Sequence, residues 1–170
     1  MAQNRIRGFF ASLSPPATAK SRDRPPAREP PVPPKPPDPY IGEGLRVLLD
    51  CHDRIFGSAV ASCLRKTDPA FATCVETDRQ RLALLCREHP PDIFLTELAP
   101  YSPYTAEERL ELLETVRASA PDCKAVFCVD ENAFPRLVNT VAELKRNGLI
   151  DQFIFASISE TYLSALLDTL

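Results

Sequence analysis

The chain contains 170 residues, of which 44% are hydrophobic and 25% charged, and its formal net charge is −3. This length and apolar content suffice for one globular domain with a buried core. No apolar run is long enough for a transmembrane helix or a secretory signal, so these two classes are excluded and we expect a cytoplasmic protein.

Proline and charge divide the chain into two parts. Eleven of the 18 prolines lie within residues 1–40, which also carry seven Lys or Arg against three Asp or Glu. Such a segment buries too little apolar area to offset the entropy of ordering it, which predicts a disordered, basic, Pro-rich tail over residues 1–43. A folded domain is expected over residues 44–170. Residues 41–170 carry 13 basic and 20 acidic residues, a balance that argues against a nucleic-acid-binding surface on the domain.

Five short apolar runs bounded by turn-forming residues predict β-strands at 45–49, 71–75, 93–98, 124–129 and 152–155. Apolar residues at helical spacing predict helices at 55–66, 79–89, 106–118, 137–146 and 160–170. The expected helix N-caps are Asp78, Thr105 (with Glu108 completing a capping box) and Ser159. Strands that alternate with helices over short loops predict a parallel sheet covered on both faces. Right-handed crossovers favour the flavodoxin-like α/β fold with strand order 2-1-3-4-5.

Candidate functional residues follow three of the predicted strands. In a doubly wound sheet, ligands and catalytic groups collect at the carboxyl ends of the central strands. We therefore expect the residues that end or follow the first, third and fourth strands to lie near one another: Asp50, Cys51, His52, Asp53, Thr96, Glu97, Val129 and Asp130. Glu97 stands out among them, because the central strand delivers its carboxylate into this region.

These elements resemble the receiver domain of bacterial response regulators, over residues 45–170. Residues 91–98, which read Pro-Asp-Ile-Phe-Leu-Thr-Glu-Leu, are similar to the receiver strand that ends in the phosphorylated Asp. Residues 112–117 and 121–126 are similar to the third helix and fourth strand of the family, and residues 157–163 resemble the start of its last helix. The resemblance implies a CheY-like fold and a role in two-component signalling.

The receiver family also implies a set of chemical groups. Two acidic residues after the first strand hold Mg²⁺ together with the acceptor Asp, and a Thr or Ser and a Lys bind the phosphoryl oxygens. In this chain the acceptor position is Glu97, and the acidic pair falls on Cys51 and His52, or on Asp50 and Cys51. The Thr or Ser position falls on Val129 or Asp130, and the Lys position on Phe155 or Ala156.

This departure from the family pattern indicates a degenerate receiver, or pseudo-receiver. The Glu97 carboxylate lies one methylene further out than that of Asp and resembles a charge mimic of a phosphorylated Asp. We therefore expect a stand-alone signalling module that acts by protein–protein contact, is not an enzyme and is not phosphorylated on an aspartate.

The acidic residues at the strand ends leave an alternative open. Four carboxylates near one point repel one another unless something neutralises them: Asp50, Asp53, Glu97 and Asp130. A hard cation such as Mg²⁺ is one such group, with Asp50 and Glu97 as its first candidate ligands. Solvated loop residues that cap helix starts are the other interpretation. We expect no cofactor, and a cation- or ligand-responsive regulator is the second functional hypothesis.

Two further hypotheses rest on single motifs. Asp50-Cys51-His52 matches the Asp-x-His start of the cobalamin-binding signature, but the Gly required three residues after His52 is replaced by Ile55. Nucleophilic catalysis by Cys51 or Cys128 beside His52 is the other hypothesis, because both thiols lie near strand ends. The six cysteines form no CxxC pair and match no zinc spacing, so reduced core thiols are the simpler expectation.

The receiver resemblance also implies a docking surface. In receivers the face made by the fourth helix, fifth strand and fifth helix serves docking and dimerisation. Here that face would present Phe134, Leu137, Gln152 and Tyr162. We expect an unidentified protein partner, with homodimerisation as an alternative, and neither membrane contact nor direct nucleic-acid contact by the domain.

Overall fold

The computed structural model describes residues 37–170, so residues 1–36 of the predicted tail lie outside the described range. The strands are β1 (Leu45–Asp50), β2 (Phe71–Val75), β3 (Ile93–Leu98), β4 (Lys124–Val129) and β5 (Gln152–Phe155). The helices are α1 (Arg54–Thr67), α2 (Arg79–Glu88), α3 (Ala106–Ser119), α4 (Pro135–Arg146) and α5 (Glu160–Leu167). All ten predicted elements are present in the predicted order.

The five strands form one parallel sheet with the order β2-β1-β3-β4-β5, which confirms the predicted flavodoxin-like fold. β3 is central and pairs with β1 on one side and β4 on the other. The first four residues of β3 are all buried, as expected for a strand covered by helices on both faces.

Two hydrophobic layers hold the sheet between the helices. One layer packs α2, α3 and α4 against one face and includes Phe94, Leu112 and Val141. The other packs α1 and α5 against the opposite face and includes Leu95 and Leu163. Phe94 and Leu95 belong to different layers because successive side chains of a strand point to opposite faces. Among residues 37–170, no helix is both long and apolar enough to cross a membrane.

The helix ends follow the local chemistry of the sequence. The predicted N-caps all accept main-chain hydrogen bonds, and Thr105 forms the full capping box with Glu108. The predicted bounds of α1, α2 and α3 differ from the structure by one residue at most, and two ends differ by more. α4 begins at Pro135, two residues early, because proline suits the first helical turn, where its missing N–H is not needed. α5 ends at Leu167, three residues early.

The domain includes residues that the sequence analysis assigned to the tail. Tyr40 is buried in the layer that contains α2 and α3, and Ile41 exchanges two main-chain hydrogen bonds of 2.9 Å with Thr73 of β2. The folded unit therefore starts before the predicted boundary at Gly44. In the link to β1, Gly42 and Gly44 have positive φ angles, which favour glycine, and a Cβ at these positions would collide with the main-chain carbonyl oxygens of Phe71 and Ala70 respectively.

Candidate functional site

The C-terminal end of the sheet brings together the residues that follow β1, β3 and β4. In the strand register, Asp50 lies beside Thr96, and Glu97 lies beside Cys128. Glu97 is half-buried and is the last but one residue of β3, whose bounds agree with the strand predicted over residues 93–98. The predicted candidates thus share one region, but each of the four carboxylates there has its own partner.

The Asp50 carboxylate is paired with an arginine. Asp50 is 2% exposed, and its Oδ2 atom accepts a hydrogen bond from Nη1 of Arg109, which is itself 1% exposed. Its Oδ1 atom accepts a 3.4 Å hydrogen bond from the hydroxyl of Tyr104. Burial raises the pKa of Asp50, and the positive charge of Arg109 opposes this shift. Asp50 is therefore a buried ion-pair partner and not a solvated loop residue.

Arg109 was not among the predicted site residues. It lies in the first turns of α3, and its guanidinium also contacts Oγ1 of Thr96 at 3.3 Å and the carbonyl oxygen of Pro103. The same group lies over the Tyr104 ring, 4.5 Å from the ring centroid. A sequence signal for Arg109 does exist, because it precedes Leu112, Leu113 and Val116 by three, four and seven positions, which is the buried face of a helix.

The Glu97 carboxylate connects the central strand to the β1–α1 loop. Its Oε2 atom accepts a hydrogen bond of 2.8 Å from the main-chain N–H of His52. Glu97 also acts electrostatically on its neighbours, since its charge adds to the effect of burial in raising the pKa of Cys51 and Cys128. The acceptor-equivalent side chain is thus already engaged within the protein.

The remaining two carboxylates stabilise local turns. Asp53 is the N-cap of α1 and accepts the N–H of Ile55 at 2.7 Å. Asp130 accepts the N–H groups of Asn132 and Ala133 at 2.9 and 2.8 Å. Both match the interpretation of loop residues that cap helix starts or turns. Across residues 37–170, no group of three or more His, Cys, Asp or Glu side chains is arranged to hold a metal ion.

Aromatic rings from three loops cover this end of the sheet. The His52 ring packs edge-on against Tyr101 and Tyr104, with ring centroids 5.3 and 5.5 Å away. Tyr101 continues the row to Phe134, whose centroid is 6.0 Å away. Such edge-to-face pairs are favourable and join the β1–α1, β3–α3 and β4–α4 loops. The His52 imidazole is therefore part of an aromatic cover, which gives no support to a cobalt-ligand role.

The thiols near the strand ends are buried. Cys51 is fully buried, and burial raises its pKa well above the ordinary value. Cys128 is 3% exposed, and burial raises its pKa to about 12. Because the thiolate and not the thiol is the nucleophile, these two side chains are poorly suited to the catalytic role considered from the sequence.

The positions that would bind phosphoryl oxygens in a receiver hold other groups. Val129 is fully buried at the end of β4, and Asp130 is engaged in the turn described above. Phe155 ends β5, where the resemblance places the lysine. The three lysines of the described range lie elsewhere: Lys66 in the last turn of α1, Lys124 at the start of β4 and Lys145 in the last turn of α4. All three are at the opposite end of the sheet.

The predicted docking residues separate into two groups. Gln152 and the exposed Tyr162 line a groove of about 510 Å³ beside β5, together with Lys145 and Phe153. Leu137 packs against the hydrophobic layer, and Phe134 contacts Tyr101 in the aromatic cover. Only Gln152 and Tyr162 of the four therefore lie along the same groove.

Several solved structures with the same fold are described as response regulators or receiver domains. The chain is similar to the CheY-like receiver domain protein from Methanospirillum hungatei JF-1, with 15% identity and a TM-score of 0.57 over 75% of this chain and 93% of that chain. The chain is also similar to a response regulator from Desulfuromonas acetoxidans, with 15% identity and a TM-score of 0.53 over 74% of this chain and 94% of that chain. A third similar structure is the signal receiver domain of the putative response regulator NarL from Mycobacterium tuberculosis, with 17% identity and a TM-score of 0.53 over 75% of this chain and 96% of that chain.

No protein-family model and no curated protein matches the chain. At these identities the structural likeness establishes the fold. The receiver-like fold predicted from the order of elements is therefore confirmed, and the functional assignment depends on the side chains at the C-terminal end of the sheet.

Proposed function

We propose that this domain is a pseudo-receiver, a signalling module that acts through protein–protein contact and without aspartyl phosphorylation. The observation that carries the proposal is the state of the acceptor-equivalent residue. Glu97 replaces the aspartate, and its carboxylate already holds the His52 N–H at 2.8 Å. Phosphoryl transfer depends on an acceptor that is positioned among electrostatic groups. A glutamate that is hydrogen-bonded to the main chain of the β1–α1 loop does not meet this requirement in the proposal.

The surroundings of Glu97 support the same proposal. The positions expected to bind phosphoryl oxygens carry Val129 and Phe155, and the lysines of the described range lie at the opposite end of the sheet. A carboxylate at the acceptor position supplies a permanent negative charge, which suits a domain with one fixed conformational state. In this proposal the protein partner recognises that state.

We further propose that the domain makes no direct contact with nucleic acid. Residues 37–170 carry 13 Lys or Arg against 21 Asp or Glu, so phosphate backbones are repelled on average. The cytoplasmic location expected from the sequence stays a prediction.

Beryllofluoride, which mimics an aspartyl phosphate, tests the absence of phosphorylation. The amide spectrum of the isotopically labelled full chain is recorded before and after Mg²⁺ and then beryllofluoride are added. We expect the Asp50, Glu97 and Asp130 signals to stay in place at both steps. A shift on addition of beryllofluoride would contradict the proposal. A shift with Mg²⁺ alone that Glu97→Gln abolishes would favour the second hypothesis, a cation-responsive regulator.

A further inference from the structure

The Arg109 guanidinium occupies a shell of oxygen atoms at the C-terminal end of the sheet. Its hydrogen-bond acceptors are a carboxylate oxygen of Asp50, the hydroxyl oxygen of Thr96 and the carbonyl oxygen of Pro103. These three groups come from the end of β1, from β3 and from the β3–α3 loop. Thr96 precedes Glu97 directly and lies beside Asp50 in the strand register. The shell therefore adjoins the acceptor-equivalent position.

The chemistry of this shell suits a hard cation. Mg²⁺ and similar ions bind carboxylate, hydroxyl and main-chain carbonyl oxygens, and they favour a site with at least one carboxylate. A carboxylate as buried as Asp50 requires a positive partner, because an isolated charge is costly to bury. Here the positive charge comes from Arg109, which is 1% exposed and fills the space between the three oxygens. A second cation in the same place would be repelled.

We infer that the guanidinium of Arg109 is a built-in substitute for the divalent cation that receiver domains hold at this end of the sheet. The positive charge is then covalently attached to α3 and cannot dissociate. As a result, the β1 end, β3 and the β3–α3 loop stay connected whatever the Mg²⁺ concentration. In this inference the guanidinium replaces the Mg²⁺ ion that the sequence analysis left open as an alternative on Asp50 and Glu97, because Asp50 is paired with Arg109 and Glu97 is hydrogen-bonded to the β1–α1 loop.

The inference rests on the proposed loss of phosphoryl chemistry, but the two can fail separately. Cation binding is measured here without any phosphoryl donor or analogue, whereas the proposed function is tested with beryllofluoride. If divalent cations do not change the thermal midpoint of the parent protein but beryllofluoride shifts its amide signals, only the proposed function is contradicted.

Removal of the guanidinium tests the inference in the full chain. We compare the thermal midpoints of the parent, Arg109→Met and Arg109→Met/Asp50→Asn, in Mn²⁺ or Mg²⁺ and in NaCl of equal ionic strength. The parent midpoint should not change with the divalent ion. The thermal midpoint of Arg109→Met should rise by several degrees when the divalent ion is added, because the freed Asp50 carboxylate can bind the ion and binding stabilises the folded state. The double variant should lose this gain.

Arg117→Met provides a matched control in the same helix. Arg117 pairs with Asp151 at 2.9 Å, at the opposite end of the sheet, so its loss should lower the midpoint without creating a divalent response. Should Arg109→Met be unfolded in NaCl, its refolding is followed with and without Mn²⁺. Recovery of the fold in Arg109→Met but not in the double variant supports the inference.

Three results would overturn the inference. One is an Arg109→Met protein that neither gains stability nor refolds with Mn²⁺. Another is a gain that survives Asp50→Asn. The third is paramagnetic broadening of the Asp50 and Thr96 amide signals when Mn²⁺ is added to the parent, since the shell would then admit an ion with Arg109 in place.

Discussion

Individual carboxylates at the C-terminal end of the sheet differ in environment although they are close in the fold. Asp50 is buried against Arg109, whereas Glu97 is half-buried and bonded to a main-chain N–H. Asp53 and Asp130 serve as caps. Their charges are therefore neutralised or solvated one by one, which removes the mutual repulsion expected from the sequence.

The Glu97–His52 hydrogen bond can be measured by substitution. Glu97→Ala should lower the free energy of unfolding by about 1 kcal/mol, because the His52 N–H loses a charged acceptor at a partly solvated position. The exposed Glu114 on α3 provides the control, and Glu114→Ala should change stability by less than about 0.5 kcal/mol. Urea unfolding compares the three proteins. Equal losses in both variants would contradict the role assigned to Glu97.

The buried thiols predict alkaline destabilisation. The pKa of Cys128 rises from 9.0 to about 12 on folding because the side chain is buried. Between these values the unfolded state releases its proton and the folded state does not, so stability falls as pH rises above the unfolded pKa. Between about pH 9 and about pH 10.5, the free energy of unfolding should therefore fall by about 2 kcal/mol less in Cys128→Ala than in the parent. Urea unfolding under reducing conditions at both pH values measures this.

The neighbouring Val129 provides the control for this pH experiment. Val129→Ala also creates space in the core but removes no titrating group, so the variant should be destabilised equally at both pH values. If Cys128→Ala keeps the parent's full alkaline loss of stability, the raised thiol pKa is not the cause.

At the scale of elements, the segment before β1 is part of the folded domain. Tyr40 lies in the core, and Ile41 pairs with β2, which would otherwise have an open edge. The segment is also bonded through Asp38, which accepts a 2.8 Å hydrogen bond from Arg46 of β1. A domain that starts at Gly44 would lose these contacts and leave a space beside α2.

Substitutions of Tyr40 test this contribution. Tyr40→Ala should lower the free energy of unfolding by about 3 kcal/mol, because it leaves a cavity where an aromatic ring packs. Tyr40→Phe should stay near the parent value, because the Tyr40 hydroxyl is buried without a hydrogen-bond partner. Ile41→Ala is the control, since the Ile41 side chain is 64% exposed. A Tyr40→Ala protein as stable as Ile41→Ala would exclude the segment from the core.

At the scale of the whole molecule, the groove beside β5 holds two of the four residues of the docking face that the receiver resemblance implies, and its role as a partner surface stays a prediction. Tyr162 is 61% exposed at its rim, and Gln152 and Phe153 line it. Exposed aromatic residues are frequent in protein interfaces because they bury much area with few rotatable bonds. Leu84 of α2 is similarly exposed, at 55%, but lies on another helix away from this groove.

A photo-reactive residue placed at Tyr162 tests the partner surface. We expect cross-linked products in cells from this position and far fewer from the matched position Leu84. A product of twice the chain mass would identify a second copy as the partner, whereas a different mass would identify another protein. Equal cross-linking from both positions would contradict a specific surface beside β5.

The sequence by itself determined the architecture. Short apolar runs between turn-forming residues located all five strands, and their alternation with helices left few topologies, because crossovers between parallel strands are right-handed. The same local pattern placed Glu97 at the end of the central strand. Boundaries were less well determined at α4 and α5, where the periodic pattern does not mark the first or last turn.

Only the tertiary structure decided the partners of the site residues. Asp50 and Arg109 are 59 positions apart, and Glu97 and His52 are 45 apart, so no local pattern links either pair. An arginine on the apolar face of α3 signals a buried charge, but which carboxylate neutralises it depends on how α3 packs over β1 and β3. The burial of Tyr40 was also decided by packing. From the sequence, the prolines that precede it assigned it to the disordered tail, whereas in the structure it lies in the core. Burial and pairing depend on contacts distant in sequence, and these exist only after the sheet and its helices have assembled.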